Sequence, residues 1–189
     1  DHLDYHKNLN DYLNAKLYLF RNLIKKKGNI ITDDKIPEFK KINKIAKQKR
    51  LKIITLNDKK NDFRILSHSF KGEIQLLKIK YNNSIKEINL NLIGKIQLKN
   101  ILMAIFAAQK IINLKNILSV IPKLKSVEGR FERIGKIKNK SMVILDYAHT
   151  PEALKICLLN LREQFPDKKI SLLFGCGGNR DQNKRSKMG

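Results

Sequence analysis

Two short apolar runs, each followed by a polar cluster, constrain the fold of this chain most strongly. Met142 to Leu145 leads into Asp-Tyr-Ala-His-Thr-Pro at 146–151, and Ile170 to Phe174 leads into Gly-Cys-Gly-Gly-Asn-Arg-Asp at 175–181. Between the runs, the spacing of apolar residues predicts a helix from Pro151 to Phe165. A strand, a helix and a strand in such close succession predict a right-handed parallel unit of an α/β fold. Both clusters would then lie at one edge of a sheet, where such folds bind ligands.

Further helices and strands are predicted upstream of this unit. Between Phe63 and Leu92 apolar and polar residues alternate, and turns at Lys71-Gly72 and Asn82-Asn83 predict antiparallel strands. Elsewhere the apolar spacing predicts helices at 10–26, 37–50, 97–112 and 114–121, and strands at 29–32 and 52–55.

The segment from Pro122 to Glu128 has no regular period and marks a domain boundary. We therefore expect one domain at 1–127 and a second at 128–189. The chain begins with Asp1 and ends at Gly189 directly after a charged loop. We expect it to be an internal fragment of a longer polypeptide.

The net charge of +23, from 40 Lys+Arg against 17 Asp+Glu, raises the question of a nucleic-acid partner. The lysines are scattered through the chain, however, and it contains no Trp and few aromatic residues on which bases could stack. We expect no nucleic-acid partner, with a basic nucleic-acid-binding module as the alternative. No apolar run approaches the roughly twenty residues of a membrane span, and Cys157 and Cys176 lack a metal-binding spacing. We therefore expect a cytoplasmic protein without a membrane partner.

A first candidate site lies near the beginning of the chain. His2, Asp4 and His6 alternate, so that in an extended segment they share one side and could bind a divalent metal. A solvated polar loop is the alternative. Lys16 borders the apolar stripe of the first predicted helix, where burial would favour the neutral amine that can take up carbon dioxide as a carbamate. A lysine that extends along the apolar surface to solvent is the alternative.

Two further candidates lie in the middle of the chain. Asn100 stands within the apolar face of a predicted helix, where a buried amide needs a partner such as a purine edge or a backbone carbonyl. Arg130 follows Gly129 and enters a predicted strand, so it could reach from one domain towards a nucleotide held by the other. An ordinary surface arginine is the alternative.

The last candidates belong to the two polar clusters. Asp146, at a strand end, is placed to accept hydrogen bonds from ribose hydroxyls. The glycines at 175–178 allow a ligand to approach the backbone closely, and Arg180 adds positive charge beside them. These features predict a site for an anionic ligand.

In combination, these segments resemble the Mur ligases. The matching strings are DHLDYH at 1–6, YLNAKLYLF at 12–20, GRFE at 129–132, DYAHTP at 146–151 and GCGGNRDQNKR at 175–185. The last two are similar to the branch that adds the third amino acid to UDP-N-acetylmuramoyl-L-alanyl-D-glutamate; the others are shared with related ligases, including folylpolyglutamate synthetases. The resemblance implies an α/β fold: the latter part of a Mur ligase central ATPase domain, followed by the start of a Rossmann-like C-terminal domain.

The resemblance also implies roles for individual residues. His2 and Lys16 would form the catalytic magnesium site, with Lys16 as a carbamate. Asn100 would lie at the adenine, Arg130 and Asp146 at the nucleotide with His149 close by, and Arg180 at the incoming amino acid.

The implied activity uses ATP and Mg²⁺ to phosphorylate the γ-carboxylate of D-glutamate in UDP-N-acetylmuramoyl dipeptide, and a free diamino acid then attacks the acyl phosphate. Meso-diaminopimelate is favoured over L-lysine because Arg180 suits its extra carboxylate. A folylpolyglutamate synthetase-like ligase is the alternative enzyme. We expect a monomer. The family's P-loop, UDP-binding domain and amino-acid-selecting motif lie outside these residues, so the fragment alone should be inactive.

Overall fold

A computed structural model describes residues 6–176 and 183–189 of the protein. The chain separates into two compact units. The first contains the residues up to Asn61 together with Ile101–Ile111, and the second contains Asp62–Asn100 together with Ile112–Gly189.

The first unit begins with helix α1, Leu9–Tyr18, which continues as a π-helical turn, Leu19–Leu23. The side chain of Asn8 caps α1 by accepting a hydrogen bond from the Asp11 amide at 3.0 Å. The helical segment ends at Leu23, before the predicted Lys26, because Ile24 is extended with ψ at 126°.

An α/β repeat completes the first unit. Strand β1, Asn29–Thr32, and strand β2, Lys52–Thr55, pair in parallel, and helix α2, Phe39–Lys49, connects them. The two strands are as predicted, and helix α2 starts two residues after Pro37. The core beneath the repeat consists of buried apolar side chains: Leu17, Ile30, Ile42, Ile45, Ala46 and Leu51.

The second unit contains the predicted antiparallel sheet. Its strands β3, Phe63–Lys71, β4, Ile74–Tyr81, and β5, Ser84–Leu90, pair in the order β3-β4-β5. Both predicted turns are confirmed, since Gly72 and Asn82 take positive φ values of 58° and 51° between the strands.

Helices and a second strand pair follow. Helix α3 is Ile96–Ala108, α4 is Leu114–Val120, and a 3-10 turn covers Ile121–Lys123. Strand β6, Glu132–Lys136, pairs antiparallel with β7, Met142–Leu145. Helix α5, Pro151–Gln164, and helix α6, Asn183–Met188, complete the described chain. None of the helices in the described residues is both long and apolar enough to cross a bilayer.

The prediction of a strand at 170–174 is wrong. Within the described residues this segment pairs with no strand, and β7 pairs only with β6, so the predicted parallel strand-helix-strand unit is not formed there. A strand needs a neighbour for its backbone hydrogen bonds, which an apolar pattern alone does not supply. Leu173 is accordingly 97% exposed, while Ile170 and Leu172 line a groove beside α5.

Candidate functional site

The carboxylate of Asp146 connects two loops of the second unit. The amide of Phe131 donates to Asp146 Oδ2 at 3.0 Å, and the amide of Ala148 donates to Oδ1 at 2.9 Å. The amide of Tyr147 also donates to the carbonyl of Gly129 at 2.8 Å. The segments 129–131 and 146–148 are therefore held together by side-chain and backbone hydrogen bonds.

The first of these loops is tightly turned. Gly129 and Phe131 both have positive φ values, 64° and 48°. The amide of Gly129 donates to the Glu132 carboxylate at 2.8 Å, and the amide of Arg130 donates to the Val127 carbonyl at 2.9 Å. A left-handed conformation costs a residue with a Cβ roughly 1–2 kcal/mol. At Phe131 the hydrogen bond to Asp146 and the burial of the ring offset that cost.

Three exposed side chains from the two loops lie beside one another. The Arg130 guanidinium is 5.6 Å from the centroid of the Tyr147 ring, and the Tyr147 and His149 ring centroids are 5.1 Å apart. The His149 Nδ1 lies 3.1 Å from the Tyr147 carbonyl oxygen. We call this surface the Arg130–Tyr147–His149 face. It combines a guanidinium cation with two rings, which suits a planar, anionic ligand.

Tyr147 was not among the predicted site residues, although it is 65% exposed at the centre of this face. In the structure Leu145, Tyr147 and His149 are exposed, whereas the residues between them are half-buried. The signal in the sequence is the two-residue spacing between Tyr147 and the predicted site residue His149. Directly after a strand, this spacing places both side chains on the same surface.

Asp146 is half-buried at the site, but its observed contacts are within the protein. Each carboxylate oxygen accepts one backbone hydrogen bond and keeps a second lone pair with which it could accept another. The charge of Asp146 also affects the pKa of a neighbouring cysteine. Burial and, secondarily, the charge of Asp146 raise the pKa of the Cys157 thiol to about 11.

The expected burial of Asn100 is wrong. Asn100 is exposed, and its side-chain amide donates to Gln97 Oε1 at 3.1 Å. Helical phase explains the difference, since the buried residues Leu98, Ile101 and Ile105 define the inner face of α3 and Asn100 projects away from it.

Of the two alternatives considered for Lys16, the structure shows the exposed side chain. In α1 the buried residue is Leu17, the neighbour of Lys16, and Lys16 itself is exposed. The Lys16 ammonium lies 4.5 Å from the centroid of the Tyr12 ring, whose own centroid is 5.3 Å from that of His6. Lys16 therefore extends along an aromatic side chain to solvent, which matches the alternative considered for this residue.

The structure thus brings together Arg130, Asp146 and His149, whereas the other predicted site residues do not join this surface in the described part of the chain. Lys16 belongs to the first unit and the other described candidates to the second. His2 and Arg180 lie outside the described residues. In residues 6–176 and 183–189, no three His, Cys, Asp or Glu side chains form a group that could hold a metal ion.

Two family signatures match the chain. The signature described as the Mur ligase middle domain matches residues 1–108, and that described as the Mur ligase, glutamate ligase domain matches residues 129–189. These matches confirm the predicted fold class of a Mur ligase central domain followed by a C-terminal domain.

Curated and solved relatives agree with these signatures. The chain is 37% identical over 193 residues to the UDP-N-acetylmuramoyl-L-alanyl-D-glutamate–2,6-diaminopimelate ligase of Rickettsia conorii, covering 100% of this chain and 39% of that protein. A solved structure of a ligase of the same name matches with 27% identity and a TM-score of 0.65, covering 100% of this chain and 38% of the other.

A more distant solved structure shares the fold alone. Folylpolyglutamate synthetase from Lactobacillus casei is 17% identical with a TM-score of 0.63, over 81% of this chain and 39% of the other. The chain spans about two-fifths of the length of the curated relatives it matches. Since the middle-domain signature alone covers more than half of the residues, the chain belongs to the Mur ligase family.

Proposed function

We propose that the protein containing this chain is an ATP-dependent ligase of peptidoglycan synthesis. It would add a diamino acid, meso-diaminopimelate in preference to L-lysine, to the γ-carboxylate of D-glutamate in UDP-N-acetylmuramoyl-L-alanyl-D-glutamate. The observation that carries the proposal is that Arg130 and His149 lie on one surface. Asp146 holds the two loops that carry them together by accepting a hydrogen bond from an amide of each loop. The substrates are proposed from the name of the 37% identical relative.

The Arg130–Tyr147–His149 face would bind the nucleotide. A guanidinium matches phosphate oxygens with paired donors, and its position over Tyr147 limits the orientations that it can adopt. The Tyr147 and His149 rings offer planar surfaces for a base or a ribose. Asp146 would act mainly by fixing these loops, with its remaining lone pairs open to ribose hydroxyls. Asn100, exposed on α3, is proposed as the contact to adenine.

Lys16 and His2 would hold magnesium, with Lys16 as a carbamate. The carbamate is proposed from the resemblance to the Mur ligases and not from the exposure of Lys16; it would replace a cation by a hard anionic oxygen ligand of the kind that Mg²⁺ prefers. When bound, the ion would offset the negative charge that develops on the transferred phosphoryl group. Arg180 is proposed to contact the incoming amino acid.

The reaction would proceed in two steps. The γ-carboxylate takes the terminal phosphoryl group of ATP and releases ADP; the amine of the diamino acid then displaces inorganic phosphate and forms the amide. We propose that the protein works as a monomer in the cytoplasm, without a membrane or nucleic-acid partner.

Substrate-dependent phosphate release tests this proposal. In the full-length protein we expect release from ATP only when UDP-N-acetylmuramoyl-L-alanyl-D-glutamate and a diamino acid are both present. Lys16→Ala should lower the rate sharply, and added bicarbonate should not restore it, whereas Lys49→Ala, an exposed lysine of the same unit, should leave the rate unchanged.

Three outcomes would contradict the proposal. Phosphate release without either substrate would make the protein an ATPase. Release that requires a folate and glutamate would identify the folylpolyglutamate-type ligase. Tight binding of DNA or RNA that weakens steeply with salt, without ligase activity, would favour the basic nucleic-acid-binding module.

A further inference from the structure

A buried glutamine at the end of α5 connects distant segments of the second unit. Gln164 is only 3% exposed. Its Oε1 accepts from the amide of Gly94 at 2.9 Å, and its Nε2 donates to the carbonyl of Gly72 at 3.1 Å. The side chain therefore satisfies backbone groups that lie 70 and 92 residues away in the sequence.

A second buried glutamine binds the carbonyl oxygen of the same glycine. Gln75 on β4 is fully buried at 0% exposure. Its Nε2 donates to the carbonyls of Leu92 and Gly94 at 2.6 and 3.1 Å, and its Oε1 lies 2.8 Å from His68 Nε2. Because Gln75 uses its amide hydrogens on the two carbonyls, Oε1 accepts from His68. The amide and the carbonyl of Gly94 are thus each held by a buried glutamine.

Gly94 in turn packs against Phe131. It has a φ of 86°, and a Cβ at this position would lie 3.3 Å from the Phe131 ring. The backbone of Gly94 and the ring are therefore in close contact, with Phe131 itself buried. Phe131 directly follows Arg130 and donates its amide to Asp146. A continuous series of contacts runs from the two glutamines through Gly94 and Phe131 to the loop that carries Arg130.

The other side-chain contacts of this region are more exposed. Lys95 and Glu163 form an ion pair of 2.7 Å in which both side chains are about half exposed, and such pairs contribute about 0–1 kcal/mol. Asn160, one turn before Gln164 on α5, accepts from the amide of Ile96 at 2.9 Å but is only half-buried. The buried amides are the contacts whose loss would leave unsatisfied groups in the interior.

We propose that Gln164 and Gln75 are positioning residues for nucleotide binding: by fixing Gly94 against Phe131, they set the loop that presents Arg130. This inference rests on the proposed function of the Arg130–Tyr147–His149 face. Neither glutamine would touch the ligand. Their contribution is to hold the guanidinium where the nucleotide phosphates arrive.

The test compares steady-state constants of full-length variants. Gln164→Met keeps the approximate volume but removes both hydrogen bonds, and it should raise the KM for ATP about tenfold. Its kcat and its KM for UDP-N-acetylmuramoyl-L-alanyl-D-glutamate should stay within about twofold of the wild-type values. Asn160→Ala, the matched control on the same helix, should leave all three constants unchanged.

Two further variants separate positioning from general destabilisation. Phe131→Leu leaves both glutamines intact but weakens the contact to Gly94. It should therefore also raise the KM for ATP while leaving kcat and the KM for UDP-N-acetylmuramoyl-L-alanyl-D-glutamate nearly unchanged. This variant tests the inference even if Gln164→Met does not fold. Because Gln75 and Gln164 act on one glycine, the double variant Gln75→Met/Gln164→Met should raise the KM for ATP by less than the product of the single effects.

An unchanged KM for ATP in these variants, with only the melting temperature or the active fraction reduced, would overturn the inference and leave the glutamines as structural residues. The proposed function would stand in that case, because it depends on the wild-type requirement for both substrates. If the wild-type protein itself lacks substrate-dependent phosphate release, the proposed function fails first.

Discussion

At the scale of single residues, the site depends on a few positions where the backbone takes an uncommon conformation. Gly94 and Gly72 both have positive φ values, 86° and 58°, but their surroundings differ. A Cβ at Gly94 would meet the Phe131 ring at 3.3 Å, whereas a Cβ at Gly72 would meet no atom within 4 Å. A side chain at Gly72 would therefore meet backbone strain alone, whereas a side chain at Gly94 would meet both backbone strain and crowding.

This pair gives a matched prediction. Gly72→Ala should reduce the free energy of unfolding by about 1 kcal/mol from the left-handed conformation alone. Gly94→Ala should reduce it by about 2–4 kcal/mol, because crowding against a packed ring is added to the strain. Urea unfolding of both variants measures the difference. Equal losses would mean that the Gly94 and Phe131 contact does not contribute to stability.

At the scale of elements, helix α5 sets the direction in which the polypeptide leaves the loop of Asp146. Pro151 occupies the first turn, and Thr150 Oγ1 accepts a hydrogen bond from the Ala153 amide at 3.2 Å. The helix then carries Cys157 and Gln164 into the interior. Its start at Pro151 was predicted from the sequence.

Removal of this cap should weaken the start of α5. Thr150→Ala should lower the free energy of unfolding by about 1 kcal/mol, while Thr150→Ser, which keeps the hydroxyl, should lower it by clearly less. Thermal or urea unfolding of the two variants checks the order. A serine variant as unstable as the alanine variant would assign the effect to the lost methyl group instead of the hydrogen bond.

Elements with a strong local signal were predictable, and burial was less so. The periodicity of apolar residues located helices α1 to α5 and most strands but not the short helix α6, and turn residues located the hairpins of the β3-β4-β5 sheet. The strand at 170–174 failed because pairing depends on a neighbouring strand that the pattern does not contain. Asn100 was assigned to a buried face, although it lies beside an apolar stripe whose exact phase is visible only in the folded helix.

At the scale of the whole molecule, the contacts of the second unit cross the boundary predicted at residue 127. That unit joins Asp62–Asn100 to Ile112–Gly189, and Gln164, Gly94 and Gly72 are among the residues that connect them. Contacts between residues 70 or more positions apart have no local signal, so the sequence alone could not indicate them. The division into 1–127 and 128–189 stays a prediction about domains of the full-length protein.

The Arg130–Tyr147–His149 face, in contrast, was partly predictable because several of its residues belong to local sequence motifs. Arg130, Asp146 and His149 belong to short strings that identify the family, and these strings indicated a nucleotide site. The hydrogen bonds by which Asp146 holds the Phe131 and Ala148 amides depend on the tertiary fold and appear only in the structure.

We propose that the Arg130–Tyr147–His149 face binds the nucleotide of an ATP-dependent Mur ligase. Isothermal titration of the full-length protein with a non-hydrolysable ATP analogue tests it most directly. Arg130→Ala should weaken binding about tenfold or more, since a hydrogen bond to a charged group contributes about 1.5–3 kcal/mol. Arg21→Ala, an exposed arginine whose guanidinium contacts Asn14, should bind like the wild type. Wild-type affinity in the Arg130→Ala protein would contradict the account.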